Sequence, residues 1–165
     1  MLTRPRPTPT GDLVDADEVA EMVRRFYADV AQDDLLGPMF NDVARVDWSA
    51  HLPKLTAFWC RVLFGTEGYV GNPFQAHAVV NAQSPFTAAH FERWLQLFTE
   101  TVDEGWFGPN ATRVKELGAN VARVHEPRLR QLAHEGAEAP VGPAPVEISR
   151  RSTASDLRVV LGGRP

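Results

Sequence analysis

From Phe91 to Val102 the apolar residues return on one side of a helix. Phe91, Trp94, Leu95, Phe98 and Val102 are spaced i, i+3, i+4, i+7 and i+11, the pattern of an amphipathic α-helix with one buried stripe. The stripe is largely aromatic, so it needs a broad apolar partner. A buried indole N–H also wants an acceptor, which makes Trp94 a core residue with a donor to place. Thr87 is positioned to cap this helix. His90 points off the stripe and reads as structural.

The preceding segments supply partners of the same kind. A helix is predicted to begin near Asp15 or Asp17, with Glu18 in its first turn, where acids suit the helix dipole. Val19, Met22, Val23, Phe26 and Val30 share its apolar face, and Tyr27 beside them reads as an edge tyrosine with a wet hydroxyl. LLGPMF (Leu35–Phe40) reads as a turn with apolar flanks. A second helix follows, capped by Asp47 or Ser49. Pro53 favours the later start, because only the first N–H groups of a helix lack an internal partner. Its apolar residues are Leu52, Leu55, Phe58, Trp59, Val62 and Leu63. His51 heads the row His51, Leu55, Phe58, Val62, so a polar imidazole leads an apolar stripe.

The second helix is expected to stop at Gly65, before the glycine-rich loop GTEGYVG. Asn72 and Pro73 fit the N-cap and first helical positions of a short helix in which Phe74, His77 and Ala78 share a face. A loop from Asn81 to Pro85 leads into the aromatic helix, which WFGPN ends. Asn110 is expected to cap the last helix, whose face runs Val114, Leu117, Val121, Val124, with Gly118 marking a close helix contact. Pro127 should kink or end it, leaving weaker helical character to His134. Residues 1–12 read as a disordered leader, 13–134 as one helical domain, and 135–165 as a disordered tail rich in Pro, Ala and Gly. The expected class is all-α.

Several functions are excluded on composition. Basic residues are scattered and the net charge is −4, so nucleic acid is not expected as a partner. No apolar run approaches the roughly 18 residues of a membrane span. The leader has no apolar signal-peptide core, so a cytoplasmic location is expected. Cys60, the one cysteine, sits in an apolar pattern and reads as a small buried hydrophobe. No intrachain disulfide or cysteine-built zinc site is possible.

Short helices with aromatic faces, interrupted by a few polar residues, suit a cofactor pocket better than a uniform four-helix bundle. Haem needs one neutral imidazole on iron, an apolar slot, and distal donors that decide the fate of a bound gas. Burying a few hundred Å² of porphyrin contributes up to roughly 10 kcal/mol, so haem would help fix the fold.

Taken together the chain resembles the truncated haemoglobins, most closely their group III, from about Val14 to His134. The resemblance is carried by Phe26-Tyr27, LGPMF at Leu36–Phe40, W-x-x-H at Trp48–His51, and Phe58-Trp59. YVGNP-x-x-x-H at Tyr69–His77 and HFERWLQLF at His90–Phe98 are its most specific parts. It implies a two-over-two helical sandwich, haem b as cofactor, and His77 as the proximal iron ligand. By the same resemblance Tyr27, His51 and Trp94 are the distal polar set. Phe26, Leu55 and Phe58 would line the slot, Trp59 would back it, and Lys54 would meet a propionate. The leader and tail fall outside the resemblance, and Pro53 departs from it close to His51. The implied activity is binding of dioxygen, nitric oxide or carbon monoxide, as in oxygen transport. The alternative is a haem enzyme that dioxygenates nitric oxide or reduces peroxide. That enzyme would need a partner reductase, since the nicotinamide motif G-x-G-x-x-G does not occur. A haem-free helical adaptor is the third possibility.

Overall fold

The computed structural model describes residues 9, 11–69, 71 and 73–136. Most of the expected leader, the expected Asn72 cap and the tail beyond 136 lie outside the described residues. Among those described there are five α-helices, a single π turn and no strand.

Helix α1, Ala16–Gln32, is capped by Asp15, whose carboxylate accepts the Glu18 N–H at 2.9 Å. It buries the expected stripe and also Tyr27, which is 6% exposed and not an edge residue. The expected turn after it is more ordered than a turn. Asp33 accepts from the N–H groups of Leu35 and Leu36, each at 3.0 Å. The backbone then forms a π turn, Met39–Val43, that buries Met39 and stacks Phe40 on Trp48.

Helix α2, Trp48–Phe64, starts earlier than Pro53 suggests. Asp47 accepts from both the Ser49 N–H (3.1 Å) and its hydroxyl (2.6 Å), which secures the early start. Pro53 therefore lies inside the helix and deprives the Ser49 carbonyl of its bond. Both residues are exposed, so water can take that carbonyl. The helix closes at Gly65, as expected, with φ 68°.

Helix α3, Pro73–Gln83, is short; α4, Ala88–Gly105, carries the aromatic stripe. His90 has a structural part at the α4 start: its Nδ1 accepts the Thr87 N–H at 2.9 Å while Thr87 caps the His90 N–H. Helix α5 runs unbroken over Pro109–Gly136, so Pro127 does not end it. Nor does Asn110 cap it. The Asp12 carboxylate, far away in sequence, accepts from the N–H groups of Asn110 (2.9 Å) and Ala111 (2.7 Å), and the Asn110 side chain donates to the Leu13 carbonyl. Gly108 makes room: its φ is 132°, and a Cβ there would lie 2.7 Å from the Asp12 carboxyl group.

Helix α1 packs on α2 and α4 on α5, and α1–α4 and α2–α5 contacts join the pairs into a two-over-two sandwich. The short α3 lies against α5 and the π turn. At the centre Trp59, Phe98 and Trp94 stack in a row, with ring centroids 5.0 and 5.3 Å apart. Gly118 on α5 is the expected close contact: a Cβ there would meet the Phe98 ring at 2.8 Å. No helix among the described residues is long and apolar enough to cross a membrane.

Candidate functional site

Aromatic rings from α1, the π turn and α2 enclose Tyr27. Phe26 meets it edge-on at 4.6 Å, Phe40 at 6.0 Å and His51 at 6.0 Å, while Trp48 lies tilted at 5.7 Å. Burial pushes the Tyr27 hydroxyl well above the usual phenol range, and the Trp94 indole N–H, acting on it as a donor, pulls only partly back. Tyr27 therefore keeps its proton and remains a donor. Trp94 is positioned by Phe26, whose ring meets it edge-on at 5.4 Å, and by its stack on Phe98. The expected distal set thus gathers around one phenol.

His51 is half-buried at the head of the α2 stripe. Burial, then the nearby Lys54 charge, holds its imidazole below the usual histidine range. Leu55 is half-buried below it, and Phe58 and Trp59 are buried further along, edge-on to each other at 5.2 Å. Phe26 is 1% exposed. Lys54 stands on the exposed side of α2.

His77 lies on α3, within electrostatic reach of His51. Burial pushes the His77 imidazole down to about 3, helped by the charges of His125 and then of His51. Its Nδ1 lies 3.1 Å from the Nδ1 of His125 on α5. Burial likewise pushes His125 down to about 4, with Arg128 adding to the effect. Both rings are neutral near neutral pH. A neutral imidazole with Nδ1 occupied has Nε2 left to meet a metal. Among the described residues no cluster of three or more His, Cys, Asp or Glu is placed to hold a bare ion. Haem asks the protein for one neutral imidazole together with apolar side chains and polar donors, and His77, Phe58 and the Tyr27 hydroxyl are groups of those kinds.

One site residue was not anticipated. His125 is fully buried, yet only its pairing with α3 reveals it. A signal was present: Val114, Gly118, Val121 and His125 are spaced i, i+4, i+7, i+11, the same test that singles out His51. Asn81, expected in a loop, belongs to α3 and is 2% exposed. It donates to the Leu129 carbonyl at 3.0 Å and accepts the Phe86 N–H at 2.8 Å, tying α3 to α5.

Comparison with known proteins gives concordant matches. The family model described as bacterial-like globin matches residues 12–125. Group 3 truncated hemoglobin ctb of Campylobacter jejuni subsp. jejuni serotype O:2 is 32% identical over 95 residues, which is 56% of this chain and 72% of that protein. The crystal structure of group III truncated hemoglobin from Campylobacter jejuni superposes with a TM-score of 0.62 at 28% identity, covering 70% of this chain and 91% of that one.

Proposed function

Because this chain belongs to the bacterial-like globins and among them to the group III truncated haemoglobins, we propose that it holds haem b on His77 and binds dioxygen and other small gases beneath a polar distal pocket. Haem supplies the ferrous iron that takes a diatomic ligand. The protein supplies everything that ranks and retains that ligand. Phe26, Leu55 and Phe58 exclude water, Trp59 backs them, and Lys54 is the cation at the rim for a propionate.

The observation that carries this reading is a pair of unlike environments, joined by the effect of the His51 charge on His77. On the α3 side stands the neutral imidazole of His77, with its Nδ1 occupied by His125. On the other side the Tyr27 hydroxyl, held protonated, sits with the Trp94 N–H and the His51 ring. A bound dioxygen carries partial negative charge, and donors in a low-dielectric pocket favour it over a neutral gas. His51, nearest the Lys54 edge, is placed to add a donor or to gate entry.

The test is equilibrium gas binding by the reduced, haem-loaded protein. The expected outcome is a spectral change with dioxygen that reverses when the gas is removed, and a second change with carbon monoxide. A loaded protein whose spectrum neither gas alters would overturn the proposal. Sustained consumption of nitric oxide or peroxide with a protein reductase would instead favour the enzyme, since the distal donors also suit polarising an O–O bond.

A further inference from the structure

We propose that His125 is a positioning residue for His77: its Nδ1 accepts the His77 Nδ1–H, which fixes the tautomer that leaves His77 Nε2 bare and sets the angle of the ring. The inference rests on the reading of His77 as the haem ligand and adds a residue to it.

The two Nδ1 atoms lie 3.1 Å apart. Each neutral imidazole carries one N–H, so one Nδ1 must donate and the other accept. Two protonated nitrogens would clash, and two bare ones would repel. If His125 donates, the His77 proton sits on Nε2 and the ring cannot ligate. If His77 donates, Nε2 is bare and His125 carries its proton on Nε2. Ligation therefore requires His125 as the acceptor.

The surrounding structure holds this arrangement in place. One helical turn beyond His77, Asn81 donates to the Leu129 carbonyl, one turn beyond His125. The two rungs have the same sequence separation, 48 residues, so α3 and α5 run parallel here in a single register. Rolling α3 to turn the His77 ring would break the Asn81 rung, which is buried. An acceptor on the far nitrogen of a ligating histidine orients the ring and raises its basicity. Here that acceptor is another imidazole rather than a carboxylate, so the push toward iron is that of a neutral base.

The experiment uses the full-length protein loaded with haem, in wild-type, His125→Leu and His125→Gln forms, with His77→Ala as control. The readouts are the ferrous iron–histidine stretching frequency by resonance Raman, the reduction potential, and hemin transfer to excess apomyoglobin. His125→Leu should lower the frequency, raise the potential and speed transfer about 10-fold or more. His125→Gln, which keeps an acceptor oxygen, should recover most of all three. In the wild type saturated with carbon monoxide, nitrogen NMR should find the shared proton on His77 Nδ1. A His125→Leu protein with wild-type frequency and potential would overturn the proposal while leaving haem ligation standing. So would a proton located on His125 Nδ1, a result that needs no variant to fold. A wild type that takes up no haem, or a His77→Ala control that keeps the same stretch, overturns the parent reading and this one together.

Discussion

Replacing Tyr27 by Phe removes one hydroxyl from the distal side and almost nothing else. The ring stays among Phe26, Phe40, Trp48 and His51, all within 6.0 Å, so packing should survive. What is lost is a donor that is 6% exposed and held protonated by its burial. A hydrogen bond to a charged acceptor contributes about 1.5–3 kcal/mol. At 1.4 kcal/mol per tenfold, dioxygen should leave about 10- to 150-fold faster. Carbon monoxide, with little charge to stabilise, should leave at nearly the wild-type rate. The Trp94 indole acts on the same hydroxyl, so the two donors are coupled. Trp94→Phe should also speed release, and the double variant should depart from additivity by about 0.5–3 kcal/mol. Stopped-flow replacement of dioxygen by carbon monoxide measures each rate. Off-rates within about twofold of wild type in both single variants would refute the assignment of these residues as ligand donors.

Other consequences are independent of gas binding. Gly118→Ala would drive a methyl to 2.8 Å from Phe98, which is held between Trp59 and Trp94 and cannot yield. A loss of about 1–3 kcal/mol in denaturant unfolding is expected. Asn81→Ala removes both bonds that tie α3 to α5 and to the following loop, and should cost about 1–3 kcal/mol by the same assay. Asp12→Ala uncaps α5 and should cost about 1–2 kcal/mol at neutral pH. That deficit has a pH signature. Burial raises the Asp12 carboxyl, but the N–H groups of Asn110, Ala111 and Leu13 outweigh it and hold it below 3.8. A depressed folded pKa means the contribution is full above 3.8 and is lost as pH falls through the folded value. Wild type and variant should therefore converge in acid, as followed by unfolding at stepped pH.

The helix faces were legible because burial follows period. The stripe of α1 needed only spacing; on α4 Phe98 and Val102 are buried as expected, but Phe91, Trp94 and Leu95 are half-buried and Leu97 and Thr101 are buried instead. Asp15, Thr87 and Gly65 announced their helix ends by local chemistry. Prolines misled for a physical reason. Pro53 and Pro127 each remove one hydrogen bond, a local loss that the packing of a long helix outweighs. The Asp12 cap was hidden because its partners are 98 and 99 residues away, and no local pattern encodes such a pairing. His125 was hidden similarly. Its row was visible, but its meaning depends on α3 lying parallel to α5 in one register. Tyr27 read alone as an edge residue, and only the rings arriving from the π turn and α2 bury it.

Gas binding as proposed depends on His77 holding haem. Titrating hemin into the purified protein, followed by its absorption spectrum and thermal midpoint, tests this most directly when wild type and His77→Ala are run side by side. The wild type should gain an intense Soret band and a raised midpoint, with both largely lost in the variant. Identical spectra and midpoints for the two proteins, or a wild type indifferent to hemin, would contradict haem ligation by His77.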